Sequence, residues 1–453
     1  MLWNTPQLKQ CKSQLGQLLL SDEQELFFVN QDFGRVTTGE ALAVCSFKEL
    51  APLQKFLQFA AQHQLPITIR ANGLSQSGQS LAIKGGVSLE IRELNAKIGL
   101  EAPGVRAGCS ATWKEIIEHT LQKKTLPLVF PYNTNLTLGG VLSVGGVGSS
   151  SFKRGILAAH VSQLEVILAN GELVICTKED HADLFNACLS GAGLFGVIYN
   201  AVLDVRPCKS QVRVINLLYD NYQHWLNDQF LLKHHCDYLE AYISPEYLSE
   251  HQKACVLQLG IEFDEQAPSL QFFKELNFVK ELSTENKPIW DYVTRHDGRL
   301  SAMRETGAWE EHHPWYECYL DVRLLLPHLP AIVALLDEAI GGIYHVFPIA
   351  THHPKYFMLP NSQHDVTFNV LAPGVTADKL PKAIAALIEV DRLLLSIGGK
   401  RYISGWIPQE CDEAFWKNHY GSLWEERNNT KLNYDPANIF CSQLFPFRRT
   451  SSC

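Results

Sequence analysis

The sequence predicts an α+β protein of two domains, on three observations. From Glu40 onward, stretches with apolar residues at helical spacing alternate with short apolar runs of strand length. Two loops built largely of small residues, Ile69–Ser80 and Leu138–Ser149, interrupt those runs. Near Arg206 the composition shifts towards aromatics and longer helical segments, which marks a second α+β unit reaching to about residue 400. With 453 residues, 46% of them hydrophobic and 19% charged, the chain can fill more than one core.

Residues 22–33 give little signal. Phe47–Ala61 carries helical spacing and leads through Leu65-Pro-Ile-Thr-Ile69, a strand, into the first Gly loop. That loop, Ile69-Arg-Ala-Asn-Gly-Leu-Ser-Gln-Ser-Gly-Gln-Ser80, precedes a second strand run at Gly86–Ile91. It offers a row of backbone N–H groups with little side-chain bulk, which suits a pyrophosphate. Val105-Arg-Ala-Gly108 reads as a strand end, and Thr112–Leu121 as an amphipathic helix capped by Ser110 or Thr112. After the second Gly loop, Leu164–Thr177 sets Asn170-Gly171 between two strands, a strong hairpin signal.

Gly191, Gly193 and Gly196 spell GxGxxG, but an apparent helix precedes them and a strand, Val197–Val205, follows. A dinucleotide fold of Rossmann type needs the reverse order, so NAD binding is rejected. In the second unit Leu326–Ile340 reads as a helix, and Trp290, Trp309, Trp315, Tyr316 and Tyr319 are candidate pocket walls. Asn433–Phe440 is a turn-type segment.

Bulk properties narrow the function. Net charge −9 and pI ≈ 6.0 argue against a nucleic-acid or anionic-membrane surface. The first residues lack the basic and apolar regions of a signal peptide, and no apolar stretch approaches the roughly 20 residues of a membrane span. A soluble, cytoplasmic protein is expected. The 12 cysteines show no CxxC pair and read as reduced, mostly buried thiols. The histidine groups at 234–235, 312–313 and 352–353 match no metal-ligand spacing, so no metal is expected.

Taken in order, these segments resemble the vanillyl-alcohol-oxidase superfamily of PCMH-type FAD-binding flavoproteins, and within it cytokinin dehydrogenase. Gly139-Gly-Val-Leu-Ser-Val-Gly-Gly-Val147 is similar to the family's GGTLSNAGI. Val161–Val166 with Asn170-Gly171-Glu172, and Asp183-Leu-Phe185 through Leu194–Ile198, follow its next two segments. Arg304–Trp309 and His313-Pro-Trp315 resemble its substrate-domain signature, and Lys400-Arg-Tyr402 and Tyr434-Asp-Pro436 its C-terminal return. The resemblance implies an FAD-binding domain over residues 1–205, a substrate domain over 206–402 and a return segment over 403–453. Carried over by position, Ile69, Ala71, Asn72, Gly73, Ser75 and Gln79 would hold the pyrophosphate and nearby groups. Thr137, Gly140, Ser143, Gly146, Val147 and Ile198 would line the rest of the cofactor, with Tyr402 and Gln443 approaching from the C-terminal side.

Three departures from the family bear on chemistry. Its flavin-linking histidine, in GHS, is matched here by Leu74 in Gly73-Leu74-Ser75, which implies non-covalent FAD, with a cysteine such as Cys109 as the alternative attachment point. The family's acidic partner for the substrate N–H falls on Tyr132, a phenolate base or a hydrogen-bonding and packing residue; Asp365 is a substitute acid or a solvated strand-edge carboxylate. The terminal SPGQ is replaced by Cys441-Ser-Gln-Leu444. The expected activity is hydride transfer from a small amine or alcohol, an N6-alkyl adenine among the candidates, to the flavin, with oxygen or a quinone-like acceptor taking the electrons. An oxidative cyclase of secondary metabolism and a catalytically silent flavin- or ligand-binding protein are the alternatives.

Overall fold

The computed structural model describes residues 5–15, 19–20, 22–101, 104–249, 252–408 and 411–446. Three sheets organise them. The first contains β1 (Leu19–Leu20), β2 (Ala43–Ser46), β3 (Ile67–Arg70) and β4 (Val87–Glu90), in the order β1-β2-β4-β3. β4 runs parallel to both neighbours, so β2 and β3 need a crossover, which the helix Leu50–Gln62 supplies. That helix buries Leu53, Phe56, Leu57 and Ala60 in one cluster with Ile67, Val87 and Leu89.

The second sheet is antiparallel: β5 (Ile98–Glu101), β6 (Gly104–Gly108), β7 (Thr125–Pro127), β8 (Val161–Ile167), β9 (Leu173–Thr177) and β10 (Val197–Pro207). The Asn170-Gly171 turn joins β8 to β9 in the register Ile167↔Leu173, with Gly171 at φ +81. Thr112 caps the helix Trp113–Leu121 in a full capping box with Glu115.

The third sheet has eight strands: β11 (Gln211–Tyr219), β12 (Tyr238–Ser249), β13 (Gln252–Phe263), β14 (Lys280–Pro288), β15 (Tyr316–Asp321), β16 (Ile343–Pro348), β17 (Asp365–Leu371) and β18 (Lys400–Arg401), ordered β14-β11-β13-β12-β16-β17-β15-β18. Alternation along the strands gives it two unlike faces. Leu239, Ala241, Val346, Val366, Phe368, Tyr316, Cys318 and Leu320 share a core with Trp225, Leu336 and Leu387 of the covering helices. On the opposite face Tyr238 and Tyr319 belong to the core of the first domain. This sheet is thus clamped between its own helices and the N-terminal domain.

The chain returns to the first domain after β18. Ile403 and Ile407 enter the first domain's core. The terminal segment then adds to the edge of the first sheet: Ile67 N–H donates to Ile439 O at 2.7 Å and Cys441 N–H to Ile67 O at 3.0 Å. The expected helix at 326–340 forms as Leu329–Ala339, beginning one residue before Pro330, where a missing N–H costs nothing.

Candidate active site

The two Gly-rich loops face each other across a groove of ≈ 850 Å³ of empty space, open to solvent. Ile69, Ala71, Asn72, Gly73, Leu74, Ser75 and Gln79 line one wall, and Thr137, Gly140 and Ser143 the other. Ala192 and Gly193, from the GxGxxG loop, and Ser404 complete it. The sequence order around that loop is helix Ala182–Cys188, loop, β10, so its glycines build a wall rather than a Rossmann turn. Ala192 N–H donates to Ser143 O at 2.7 Å and Ser190 N–H to Leu142 O at 2.9 Å, which ties the loop to the second Gly loop.

None of the lining residues carries a charge. The donors are hydroxyls, carboxamides and backbone amides, between apolar patches at Ile91, Leu136, Val141 and Val144. Such a donor set suits a pyrophosphate joined to flat rings, because amides and hydroxyls satisfy phosphate oxygens at close range. Close approach is built in. Gly73 stands at φ +66, and a Cβ there would lie 2.1 Å from the Arg70 guanidinium. Arg70 is buried and cannot retreat, since its Nη2 donates to Phe28 O at 3.3 Å and Gln31 O at 2.8 Å.

Asp32 pins the first loop and was not visible as a site residue in the sequence. Its Oδ2 accepts from Gly78 N–H at 2.9 Å and from Ser75 Oγ at 3.0 Å, and its Oδ1 from Arg35 N–H at 3.2 Å. Burial pushes its carboxyl up to about 6 against those hydrogen bonds. Gln79 ties the first loop to the return segment: its Nε2 donates to Ile403 O at 2.8 Å and Gly405 O at 3.0 Å, while its Oε1 accepts from Ser77 N–H at 2.8 Å.

Other expected cofactor residues stand behind the groove. Tyr402 is 8% exposed and its hydroxyl accepts from Gly146 N–H at 3.0 Å, holding the second Gly loop from outside. Ile198 is buried in β10, and Val147 packs between the two large cores. Gln443 spends its amide on Thr38 O at 2.9 Å and packs against Gly78. Its reach from one position early therefore ends at the back of the first loop. Cys109 is fully buried and its thiol is pushed up to about 12 by desolvation.

The face of the third sheet turned towards the N-terminal domain carries the remaining polar groups. In register across four neighbouring strands lie Tyr242, His345, Asn369 and Glu317. Glu317 packs against Gly405, one residue from Ser404 of the groove. Its Oε2 is buried without a partner, and desolvation raises its carboxyl to about 8. An acidic residue inside the buried run Tyr316–Asp321 was the one sequence signal that could have singled it out.

Tyr132 approaches the same face, edge-on to His296 at 5.6 Å and to Phe347 at 6.2 Å. Its hydroxyl is buried without a partner, and desolvation lifts it well above the ordinary phenol range despite the nearby Arg295 charge. It is a neutral phenol at neutral pH. Asp365 is fully buried, not a solvated edge carboxylate: Oδ2 accepts from Ser362 N–H at 3.0 Å in the turn before β17. It stands four residues from Asn369, roughly 13 Å along the strand. Of the five expected pocket aromatics, Tyr316 turns into the helix-covered core and bonds Asp391 at 3.1 Å, Tyr319 is buried between Phe357 and Tyr402, and Trp290 packs against the first domain's core. Trp309 and Trp315 pack around Phe33, whose N–H donates to Gly73 O at 2.9 Å.

A neutral groove between two glycine loops, joined through Ser404 and Gly405 to a sheet with a polar face, fits a two-domain flavoprotein of the PCMH type. Comparison with known proteins agrees. Residues 41–177 match the family model described as "FAD binding domain", and residues 246–443 the one described as "Cytokinin dehydrogenase 1, FAD and cytokinin binding". The "Uncharacterized oxidoreductase ORF5 in fasciation locus" of Rhodococcoides fascians is 27% identical, covering 92% of this chain and 96% of its own. Cytokinin dehydrogenase 7 of Oryza sativa subsp. japonica is 25% identical over 90% of this chain and 87% of its own. Cytokinin dehydrogenase 2 of Arabidopsis thaliana is 23% identical over 94% and 92%. The chain is a cytokinin dehydrogenase-like FAD-dependent oxidoreductase acting on a small molecule. Among the described residues no helix is long and apolar enough to cross a membrane.

Proposed function

We propose that the protein oxidises a small amine or alcohol, an N6-alkyl adenine among them, by removing a hydride from the carbon beside the nitrogen or oxygen. Bound FAD supplies the hydride acceptor at N5, and oxygen or a quinone-like compound takes the electrons onward. The observation that carries the reading is the uncharged groove, whose Ser404 adjoins Gly405 where it packs on Glu317 of the polar sheet face. The relatives named cytokinin dehydrogenase support a cytokinin among the candidate substrates.

FAD is held non-covalently in this reading. No histidine, cysteine, tyrosine or aspartate lines the groove among the described residues, and Leu74 offers only carbon. The proton released as the C=N or C=O bond forms passes to the Glu317 carboxylate, which packs at Gly405 beside the groove and is raised to about 8, whereas Asp365, raised to about 6, stands at the start of β17. Tyr132 stays protonated and positions the substrate through its hydroxyl. Anaerobic mixing of the yellow protein with a panel of amines, alcohols and N6-alkyl adenines tests the reading. Bleaching by at least one of them is expected, and none at all would refute turnover.

A further inference from the structure

We propose that Arg299 is an anion-binding residue of the substrate site, so that the substrate carries a carboxylate or a phosphate. The inference rests on the oxidoreductase reading above and deepens it. Arg299 lies in the first turn of the helix Gly298–Glu305, two residues after its N-cap Asp297, whose carboxylate accepts from Thr134 N–H at 3.1 Å and Thr134 Oγ1 at 2.8 Å. This anchors the helix three residues from Thr137 of the groove wall. The guanidinium lies 5.1 Å from the Trp315 ring, and Trp315 packs at 5.0 Å against Phe33, which is bonded to Gly73. Arg299 is thus tied through Trp315 and Phe33 to the first glycine loop, and its charge acts on His345 of the polar sheet face.

A charge count around it leaves one cation over. Glu240 is taken by Arg295 and by His296, whose Nε2 is 3.1 Å from both carboxylate oxygens. Asp297 is taken by Lys114 at 3.4 Å. His296 and His345, both near Arg299, are held neutral by burial and by that cation. Glu317 is largely protonated at neutral pH. No carboxylate among the described residues pairs with Arg299, and burial lowers its affinity for a proton with no other cause acting. A half-buried guanidinium stacked on an aromatic and left without an anion is costly unless a ligand brings one, and its fork suits carboxylate or phosphate oxygens.

Matched pairs of probes test this on the FAD-loaded protein. Dissociation constants are measured anaerobically by calorimetry for benzylamine against 4-(aminomethyl)benzoate, and for N6-benzyladenosine against its 5′-monophosphate. The charged member of at least one pair should bind about tenfold tighter, ~1.4 kcal/mol, and the pair that shows it identifies carboxylate or phosphate. Arg299→Gln should erase the preference and leave the neutral member unchanged, while Arg299→Lys should retain part of it. Pairs that bind alike or not at all, or a loss in Arg299→Gln shared equally by both members, would overturn the proposal. If Arg299→Gln fails to fold, the wild-type preference must still shrink as salt is raised, and a salt-independent preference would equally overturn it. Flavin content, read from the visible spectrum before any ligand is added, reports separately on the oxidoreductase reading.

Discussion

Glu317 and Tyr132 meet the same sheet face with opposite consequences, and burial decides both. Desolvation disfavours the charged form of each, but it lifts a carboxyl into the working range and a phenol out of it. Flavin reduction should therefore rise with pH through about 8, and Glu317→Gln should slow it by at least about tenfold and flatten the profile. Tyr132→Phe should change the rate by less than about threefold and leave the profile in place; a Tyr132→Phe enzyme with the pH step gone would reverse the assignment. Glu317 also couples pH to stability. Its folded carboxyl keeps a proton that the unfolded chain has released, between the ordinary carboxyl value of 4.5 and about 8, so stability falls as pH rises across that window. Thermal melts of Glu317→Gln should lose that part of the slope. The residue type left Tyr132 as either base or packing residue, and Glu317 showed only as an acid inside a buried run; the burial that decides both came with the fold.

At the scale of elements, the first glycine loop is held by groups far from it in the chain. Gly73 must avoid Arg70, and Gly73→Ala should reduce FAD retention by tenfold or more while the third sheet stays intact, measured as flavin content after gel filtration. Asp32→Asn removes a charged acceptor shared by Gly78 and Ser75, at a cost of about 1.5–3 kcal/mol, and should weaken FAD binding in proportion. An unchanged FAD affinity would show that the loop keeps its shape without the carboxylate. The two loops, the Asn170-Gly171 hairpin and the capped helix at 113–121 were readable because glycine, Asn-Gly and Thr-x-x-Glu act over a few residues. Asp32, in a stretch that reads as featureless, gains its role only when folding brings it beneath residues 75–78. Ala192 and Gly193 belong to a rejected dinucleotide motif, and they become groove wall because Ala192 and Ser190 hydrogen-bond their loop to the second Gly loop.

For the whole molecule, the return of the chain after β18 locks the substrate sheet to the cofactor groove. Gln79 bonds Ile403 and Gly405, and Ser77 exchanges two hydrogen bonds with Ile407, at 2.6 and 3.0 Å. Gln79→Ala leaves those buried carbonyls unpaired and should destabilise the protein by about 1–3 kcal/mol in denaturant titration, with loss of flavin preceding loss of helix. Gln443 was expected at the flavin from its likeness to SPGQ, but it bonds Thr38 beside the first loop, because alignment of a motif does not fix which side of a loop its side chain reaches. The ordered likeness along the chain was enough to read the architecture; the partner of each polar side chain required the fold. The central claim, an FAD oxidoreductase whose cofactor is held by the glycine loops without a covalent bond, is tested most directly by the visible spectrum of the purified protein followed by acid precipitation. The account predicts a yellow protein that releases its colour into the supernatant. Colour that stays in the pellet would contradict the role given to Leu74, and a colourless protein that does not take up added FAD would contradict the assignment as a whole.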